Sequence, residues 1–285
     1  MVRRILLPWL GFSLVISLAC ERNTPPVRET PTSVPRAVDL SYPFDSSTIY
    51  WPTDTAGFRH EQVAFGKTPA GYWYASFNIA ASEHGGTHLD APIHFAEGKQ
   101  SVEQIPLERL VAPGVKINIA GQAARDRDYR LTPADITAWE ARAGRIPSGA
   151  IVLIETGWGR YWGDRLMYLG SDKRGDASDL HFPGIARDAA ELLVERRVAA
   201  VGIDTASLDY GPSQDFPTHQ VLNGADIPGL ENVANLAQLP EQGFLIVALP
   251  MKIAGGSGAP CRIVALLGAQ SEPRPLGSGQ SEPRA

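Results

Sequence analysis

Cysteine is scarce in this chain of 285 residues, and the two present are Cys20 and Cys261. A small scaffold stapled by several disulfides is therefore excluded, since such scaffolds need several cysteine pairs. Cys261 opens the apolar run CRIVALL, which predicts a thiol buried in a strand. Basic stripes are also missing, and the net charge of -5 argues against a nucleic-acid partner.

The N-terminal apolar stretch, residues 5–19, is too short for a comfortable membrane span of about 20 residues. It follows two arginines and contains one proline. Such a stretch is typical of a signal peptide, which we predict over residues 1–19. It ends in ISLAC, where the small residue before Cys20 resembles a bacterial lipobox, although Ser17 stands where leucine is usual.

Cys20 is accordingly the predicted lipid-attachment site of an exported bacterial lipoprotein, held at a periplasmic or outer membrane face by the lipid alone. An ordinary cleaved leader and an uncleaved anchor are the alternatives. Residues 20–36 are rich in proline, threonine and charge, which predicts a solvated tether. The segment 269–285 contains QSEPR twice and predicts a disordered tail. Residues 37–268 remain for one domain with a sizeable core.

Histidine is scarce as well, with six in the chain, yet four of them fall in two clusters. The first cluster is the run HGGTHLDAPIH, which contains His84, His88, Asp90 and His94. The second cluster pairs His219 with Glu231. Imidazole and carboxylate are the side chains that divalent first-row metals readily bind, so the two clusters together predict one metal site.

The first cluster does not fit a zinc-protease helix, although His84 and His88 have its four-residue spacing. Two glycines lie between the histidines, and each costs about 1 kcal/mol in a helix interior. Pro92 blocks helix continuation, and no glutamate follows His84 to serve as a general base. An extended or looped path is predicted instead, in which His88 and Asp90 point to the same side of a strand.

The run HGGTHLDAPIH resembles the signature HxGTHxDxPxH of the cyclase family of metal-dependent hydrolases, at every specified position. That family includes bacterial kynurenine formamidases and isatin hydrolases. Further similar segments are YWP at 50–52, GIDTASLD at 202–209 and LEN at 230–232. The resemblance implies an α/β fold, a swivelling β/β/α domain with a mixed, barrel-like sheet, and a homo-oligomer.

The resemblance also implies the site residues, with one or two ions of Zn²⁺ or Mn²⁺ as cofactor. The implied ligands of a first ion are His84, His88 and Asp90. Those of a second ion are Asp90, His219 and Glu231, with Asp90 and Glu231 shared between the ions. Trp51 is implied to contact the substrate.

His94 is the implied proton donor and acceptor in hydrolysis by metal-activated water. An unperturbed imidazole titrates near pH ~6.5, which suits protonation of a leaving amide nitrogen. The position of His94 beyond Pro92 keeps it near the metals without requiring it to bind one. A third histidine ligand on the first ion is the alternative role.

These roles predict an arylformamidase-like enzyme that cleaves the C–N bond of a small aryl or cyclic amide. An isatin hydrolase-like or lactone-opening enzyme is one alternative. A lipid-anchored binding protein that retains metal without turnover is the other, and His94 argues against it because a binder needs no proton shuttle. An exported lipoprotein fits poorly with cytoplasmic tryptophan catabolism, which weakens N-formylkynurenine as the physiological substrate.

Other polar residues are weaker candidates. Ser207 lacks a surrounding GxSxG elbow, so we predict a hydrogen bond near the second metal cluster rather than a nucleophile. Asp204 and Asp209 flank it and are candidates to orient ligating imidazoles. His181 precedes a predicted helix and either orients a loop or touches substrate. The aromatic segment 158–162 is predicted to pack in the core rather than wall a pocket.

Short apolar runs rich in valine and isoleucine predict strands at 115–119, 150–155, 199–204, 245–249 and 263–267. A helix is predicted over 133–142, with Thr132 as N-cap and Pro133 in the first turn. A second helix is predicted over 185–196, and the strand that follows it predicts an α/β unit.

Overall fold

The computed structural model describes residues 35–268. The predicted signal peptide, the lipid-attachment site Cys20, the tether up to residue 34 and the C-terminal tail lie outside this range. Residues 35–268 belong to one compact unit that holds all of the core described below, which is what a domain able to fold alone requires. Within the described range, no helix is both long and apolar enough to cross a bilayer.

The described residues contain twelve strands and six α-helices. The strands are β1 (Arg36–Asp39), β2 (Arg59–Lys67), β3 (Trp73–Ala80), β4 (His88–Asp90), β5 (Val111–Asn118), β6 (Arg130–Leu131), β7 (Ile151–Glu155), β8 (Gly184–Ile185), β9 (Ala200–Ile203), β10 (Gly229–Glu231), β11 (Gln242–Pro250) and β12 (Gly258–Leu267). The helices are α1 (Leu107–Leu110), α2 (Ala120–Ala123), α3 (Pro133–Ala143), α4 (Arg165–Leu169), α5 (Arg187–Glu195) and α6 (Pro217–Gly224).

Seven strands form a closed, mixed sheet in the order β12-β11-β5-β7-β9-β10-β4, in which β4 pairs back onto the start of β12. The strands β5, β7, β9 and β10 run parallel to one another, and the other pairs in the ring are antiparallel. β1 extends the sheet by pairing with the end of β12. The mixed α/β fold with a barrel-like sheet is thereby confirmed.

The central strands β7 and β9 are buried on both faces. Ile151 and Leu153 pack inside the barrel. Val152 and Ile154 pack on the outside, against Trp139 of α3 and residues of α5 and α6. Each fully buried aliphatic side chain contributes about 1.5–3 kcal/mol of transfer free energy. Because both faces are buried, the sequences of these strands are continuous apolar runs and do not alternate between apolar and polar residues.

Helix α3 begins where the sequence predicts. The Thr132 side chain accepts a hydrogen bond from the Asp135 backbone N–H, and the Asp135 carboxylate accepts one from the Thr132 backbone N–H. This reciprocal capping box satisfies two backbone donors at the helix start. The helix ends at Gly144, whose φ of 88° disfavours other residues. The second predicted helix is also found, as α5.

A buried ion pair joins β5 to β7. The Lys116 Nζ lies 2.7 Å from the Glu155 Oε2, and both side chains are less than a tenth exposed. Lys116 also donates to the Leu236 carbonyl, and the Asn118 side-chain amide donates to Glu155. Buried charges are tolerated when they are paired and hydrogen-bonded in this way.

Lys116→Met is expected to lower the free energy of unfolding by about 3 kcal/mol, because it leaves the Glu155 carboxylate buried with only Asn118 as partner. Arg187→Met is the matched control, since it removes a cation from an exposed ion pair with Glu191 on α5. The control should cost less than about 1 kcal/mol. Urea unfolding of the segment from Pro35 measures both, and equal losses would contradict the importance of burial.

Candidate metal centre

Strand β4 carries two of the predicted ligands. His88 and Asp90 are two residues apart on it, so their side chains lie on one face. In the antiparallel pairing of β4 with β10, His88 stands opposite Glu231. The extended path predicted for this run is therefore confirmed. His84 lies in the loop before β4, and His219 lies in the first turns of α6.

The two glycines after His84 serve the loop itself. Gly86 has a φ of 58°, a left-handed conformation that residues with a Cβ rarely adopt. A side chain at Gly85 would collide with the ring of Tyr50. Glycine at both positions therefore lets the chain turn beneath Tyr50 and enter β4.

The first group of ligand atoms surrounds the Asp90 Oδ1. The His84 Nδ1 lies 2.7 Å from this oxygen and the His88 Nε2 lies 3.2 Å from it. The other ring nitrogen of His88 is 3.0 Å from the Gly86 carbonyl, which can only accept a hydrogen bond. That bond assigns the proton to Nδ1 and leaves the His88 Nε2 lone pair facing the carboxylates.

The second group of ligand atoms surrounds the other Asp90 oxygen. The His219 Nε2 lies 3.5 Å from the Asp90 Oδ2 and 3.1 Å from the Glu231 Oε1. Asp209 holds the opposite edge of the ring, with its Oδ2 2.7 Å from the His219 Nδ1. The same carboxylate accepts hydrogen bonds from the backbone N–H groups of Thr218 and His219. Asp209 therefore orients His219, as predicted.

The cluster fits a divalent cation. The two groups share Asp90, and within each group the ligand atoms lie within 4.8 Å of one another. The His88 Nε2 and the Asp90 Oδ2 are buried without a hydrogen-bond partner. Unsatisfied buried polar atoms are costly, and both of these are lone-pair donors aimed into the cluster. A cation would satisfy them.

The pKa shifts of the clustered side chains also favour a bound cation. Burial and the neighbouring Asp90 raise the pKa of Glu231. Burial alone would raise the pKa of Asp90 too, but His88, His219 and His84 hold that pKa well below its usual value. Burial opposes protonation of His88, yet Asp90 and Glu231 raise its pKa to about 9. The two carboxylates therefore draw positive charge into the cluster, which a metal ion also supplies.

A cavity of about 250 Å³ opens above the cluster. Its floor includes His84, His88, His94, His219 and Glu231. Its apolar wall includes Ile49, Tyr50, Trp51, Phe95 and Phe216. Trp51 packs edge-on against Phe216, with ring centroids 5.9 Å apart. The cavity thus places polar and ionisable groups beneath an aromatic wall.

His94 lies on the floor of the cavity without joining either ligand group. Its ring stacks on that of His84, with centroids 3.9 Å apart and planes 18° apart. Its ring centroid is 6.0 Å from that of His219. Burial, and to a lesser extent the neighbouring histidines, lowers the pKa of His94 to about 4. The imidazole is therefore neutral near pH 7 and free to accept a proton.

The weaker candidates differ in how close they lie to the cavity and to the ligating imidazoles. Ser207 lines the cavity, and its hydroxyl accepts a hydrogen bond from the Asp209 backbone N–H. Asp204 does not orient an imidazole; its carboxylate accepts hydrogen bonds from the backbone N–H and hydroxyl of Thr156 and from the Trp158 backbone N–H. Residue 204 follows β9 and faces the loop after its neighbour β7, which explains the difference. His181 lies away from the cavity and pairs with Asp128.

Two aromatic residues of the wall were missed by the sequence reasoning. Phe95 directly follows His94, and Phe216 directly precedes α6, which carries His219. This closeness in sequence to candidate site residues is the signal that could have found them. The aromatic segment 158–162 packs with Tyr168 in an apolar cluster behind Ile49 and Trp51 and does not itself line the cavity, as predicted. Cys261 is buried on β12, also as predicted.

Comparisons with known proteins identify the family of this chain. The model of the Cyclase family matches residues 38–210. The isatin hydrolase of Roseibium aggregatum is 35% identical over 197 residues, which cover 66% of this chain and 73% of that protein. The kynurenine formamidase of Paracidovorax citrulli is 27% identical over 229 residues, which cover 79% of this chain and 94% of that protein.

A solved structure extends the agreement to the fold. The isatin hydrolase A from Labrenzia aggregata, bound to benzyl benzoate, superposes with a TM-score of 0.74 and 36% identity. That alignment covers 82% of this chain and 94% of the other. The family model, the relatives and the superposition all span most of the domain that carries the cluster. The chain belongs to the cyclase family of metal-dependent hydrolases.

Proposed function

We propose that this protein is a metal-dependent hydrolase that cleaves the C–N bond of a small aryl or cyclic amide. The observation that carries the proposal is the cation-binding cluster at the floor of an aromatic-walled cavity. Isatin is a cyclic amide fused to a benzene ring, and N-formylkynurenine is an aryl formamide. The names of both relatives therefore indicate cleavage of an amide attached to a benzene ring.

The proposed cofactor is Zn²⁺ or Mn²⁺, because mixed imidazole and carboxylate ligands suit both ions. The proposed ligands of one ion are His84, His88 and Asp90, and those of a second are Asp90, His219 and Glu231. An ion bound there supplies Lewis acidity, which polarises a carbonyl oxygen and lowers the pKa of water to about 7. The deep burial of Asp90 keeps the shared carboxylate dry and fixed between the two groups.

The cavity favours a small, flat substrate. Its volume of about 250 Å³ lies below the ~300–1,000 Å³ of pockets for drug-sized ligands. Trp51, Phe95 and Phe216 offer ring faces and edges against which an aryl group packs. An aryl ring against this wall directs the amide group toward the histidines and carboxylates of the floor.

His94 is proposed to move the proton that the reaction requires. Its neutral imidazole accepts the proton that the attacking water loses as the water oxygen bonds to the amide carbon. The imidazolium then donates that proton to the amide nitrogen as the C–N bond breaks, because an unprotonated amide nitrogen is a poor leaving group. The products are a carboxylic acid and an amine, joined in one molecule when the amide is cyclic. Stacking on His84 holds the ring of His94 over the floor.

We also propose that the enzyme works outside the cytoplasm as a lipoprotein, which the leader-like residues 1–19 and Cys20 support. There it would meet amides that arrive from outside the cell. The higher identity to isatin hydrolase than to kynurenine formamidase favours a cyclic amide as the first substrate to test.

Chelation of the segment from Pro35 is expected to abolish hydrolysis of isatin and N-formylkynurenine, and Zn²⁺ or Mn²⁺ to restore it. We expect faster turnover of isatin. Ca²⁺ is the control, because it prefers an all-oxygen ligand set and should not restore activity. Absorbance assays with both substrates provide the measurement. Metal binding without turnover of either substrate would overturn the proposed amide hydrolysis in favour of a binding protein.

His94→Gln is expected to retain bound metal and to lower kcat by about 10²–10⁴-fold, the usual contribution of a general acid–base group. His181→Gln is the matched control, because His181 pairs with Asp128 away from the cavity and should leave kcat unchanged. Metal content and kcat are measured on the same samples. If His94→Gln lost metal together with activity, His94 would be a ligand instead.

A further inference from the structure

Two residues outside the ligand groups, Glu83 and Ser257, are joined by hydrogen bonds to the far edge of the His84 ring. Glu83 directly precedes His84 in the loop before β4, and Ser257 directly precedes β12. The Ser257 hydroxyl lies 2.9 Å from the His84 Nε2. The Glu83 Oε2 lies 2.7 Å from the same hydroxyl. A carboxylate, a hydroxyl and a ring nitrogen are thus connected in series.

The direction of these hydrogen bonds follows from the hydrogens that each group carries. A hydroxyl has one hydrogen, and Ser257 donates it to the Glu83 Oε2, since a carboxylate oxygen only accepts. The Ser257 oxygen can then only accept from the ring, so the His84 Nε2 carries a hydrogen. A neutral imidazole has one N–H. The Nδ1 of His84 is therefore left with a lone pair.

That lone pair faces the cluster. The His84 Nδ1 lies 2.7 Å from the Asp90 Oδ1, within the first group of ligand atoms. His88 and His219 face the cluster with Nε2 instead, and their Nδ1 atoms are held by a backbone carbonyl and by a carboxylate. Each of these three imidazoles therefore has a hydrogen-bond partner on the nitrogen that faces away from the cluster. Only for His84 is that partner a hydroxyl.

The backbone holds Ser257 in place beside the cluster. Its N–H donates to the Glu83 Oε2 over 2.9 Å, and its carbonyl accepts from the backbone N–H of the residue after Asp90 over 2.8 Å. The next residue, Gly258, pairs with Asp90 where β12 meets β4. A side chain at Gly258 would collide with the His84 ring, so the ring lies directly against this backbone. Ser257 is thus fixed at the point where the barrel closes.

We propose that Ser257 and Glu83 are positioning residues that hold His84 in the tautomer and orientation that bind a metal through Nδ1, an inference that rests on the proposed function. A hydroxyl can donate as well as accept, so Ser257 alone would not select the tautomer. Glu83 takes the hydrogen of this hydroxyl and makes Ser257 an acceptor. Neither residue belongs to a ligand group or lines the cavity, so both act on the metal only through His84.

Ser257→Ala is expected to weaken Zn²⁺ binding by about 10–100-fold, the usual effect of removing a partner that orients a ligating imidazole. Ser257→Thr keeps the hydroxyl and should bind Zn²⁺ as wild type does. Competition with a chromogenic chelator measures the dissociation constants without any substrate. Circular dichroism of the metal-free proteins checks that each variant remains folded.

Ser41→Ala is the matched control, because the Ser41 hydroxyl also contacts β12 but no histidine. Its oxygen accepts a hydrogen bond of 2.7 Å from the Ile263 backbone N–H. Like Ser257, Ser41 is partly buried. Removing this hydroxyl takes a similar hydrogen bond from the same strand and should leave Zn²⁺ binding unchanged.

The double variant Glu83→Ala/Ser257→Ala tests whether Glu83 acts through Ser257. Glu83→Ala alone is expected to weaken Zn²⁺ binding, because the freed hydroxyl can then donate to the His84 Nε2 and favour the wrong tautomer. Once Ser257 lacks its hydroxyl, loss of Glu83 should have no further effect. Residues that act in one hydrogen-bond network show such non-additive effects, whereas independent residues show additive ones.

The outcomes separate this inference from the proposed function. A wild-type protein that binds no Zn²⁺ would overturn both. If wild type binds Zn²⁺, unchanged binding by Ser257→Ala, or an equal loss in Ser41→Ala or Ser257→Thr, would overturn the positioning role of Ser257 alone. Additive losses in the double variant would overturn the action of Glu83 through Ser257.

Discussion

The buried carboxylate of Asp90 is the feature on which the site and the fold both depend. It lies at the end of β4, a strand of three residues that pairs with β10 on one side and with β12 on the other. Those two pairings close the barrel, so the strand that completes the sheet also fixes His88 and Asp90. Because Asp90 has no exposure to water, its charge is balanced only by what the cluster holds, and imidazoles with a metal ion fill that need.

The chemistry proposed for the site follows from the different surroundings of its four histidines. His84, His88 and His219 have lone pairs aimed at buried carboxylates. His94 has no carboxylate partner of this kind and borders the cavity, where burial keeps it neutral. Three imidazoles are thus placed as the proposed ligands and one as the proposed proton carrier. In the proposed function, the aromatic wall would hold an aryl amide between these two groups of residues.

Sequence patterns correctly predicted those features that depend only on residues close together in the chain. Thr132 as N-cap with Pro133 in the first turn marked the start of α3, apolar runs marked β7 and β9, and the two-residue spacing placed His88 beside Asp90. The chemistry of their side chains grouped His219 and Glu231 with the first cluster, but only the resemblance implied their roles as ligands of a second ion. Local patterns could not place them, because α6 and the pairing of β10 with β4 bring them there from over 120 residues away. The pair of strands β2 and β3 was missed because its polar residues and a bulge after Gln62 break the simple alternation of a half-buried strand.

The short segment between β3 and β4 carries His84 to the metal centre. β3 ends at Ala80, and the segment that follows carries Ser82 and His84 to the cavity. Glu83, between those two residues, is held by Ser257 at the start of β12. The hydrogen bonds of Glu83 and Ser257 therefore restrain the segment that carries His84 to the cavity. The Ser257 hydroxyl lies 2.9 Å from the His84 Nε2, and the His84 Nδ1 lies 2.7 Å from the Asp90 Oδ1, so the ring is held at both edges.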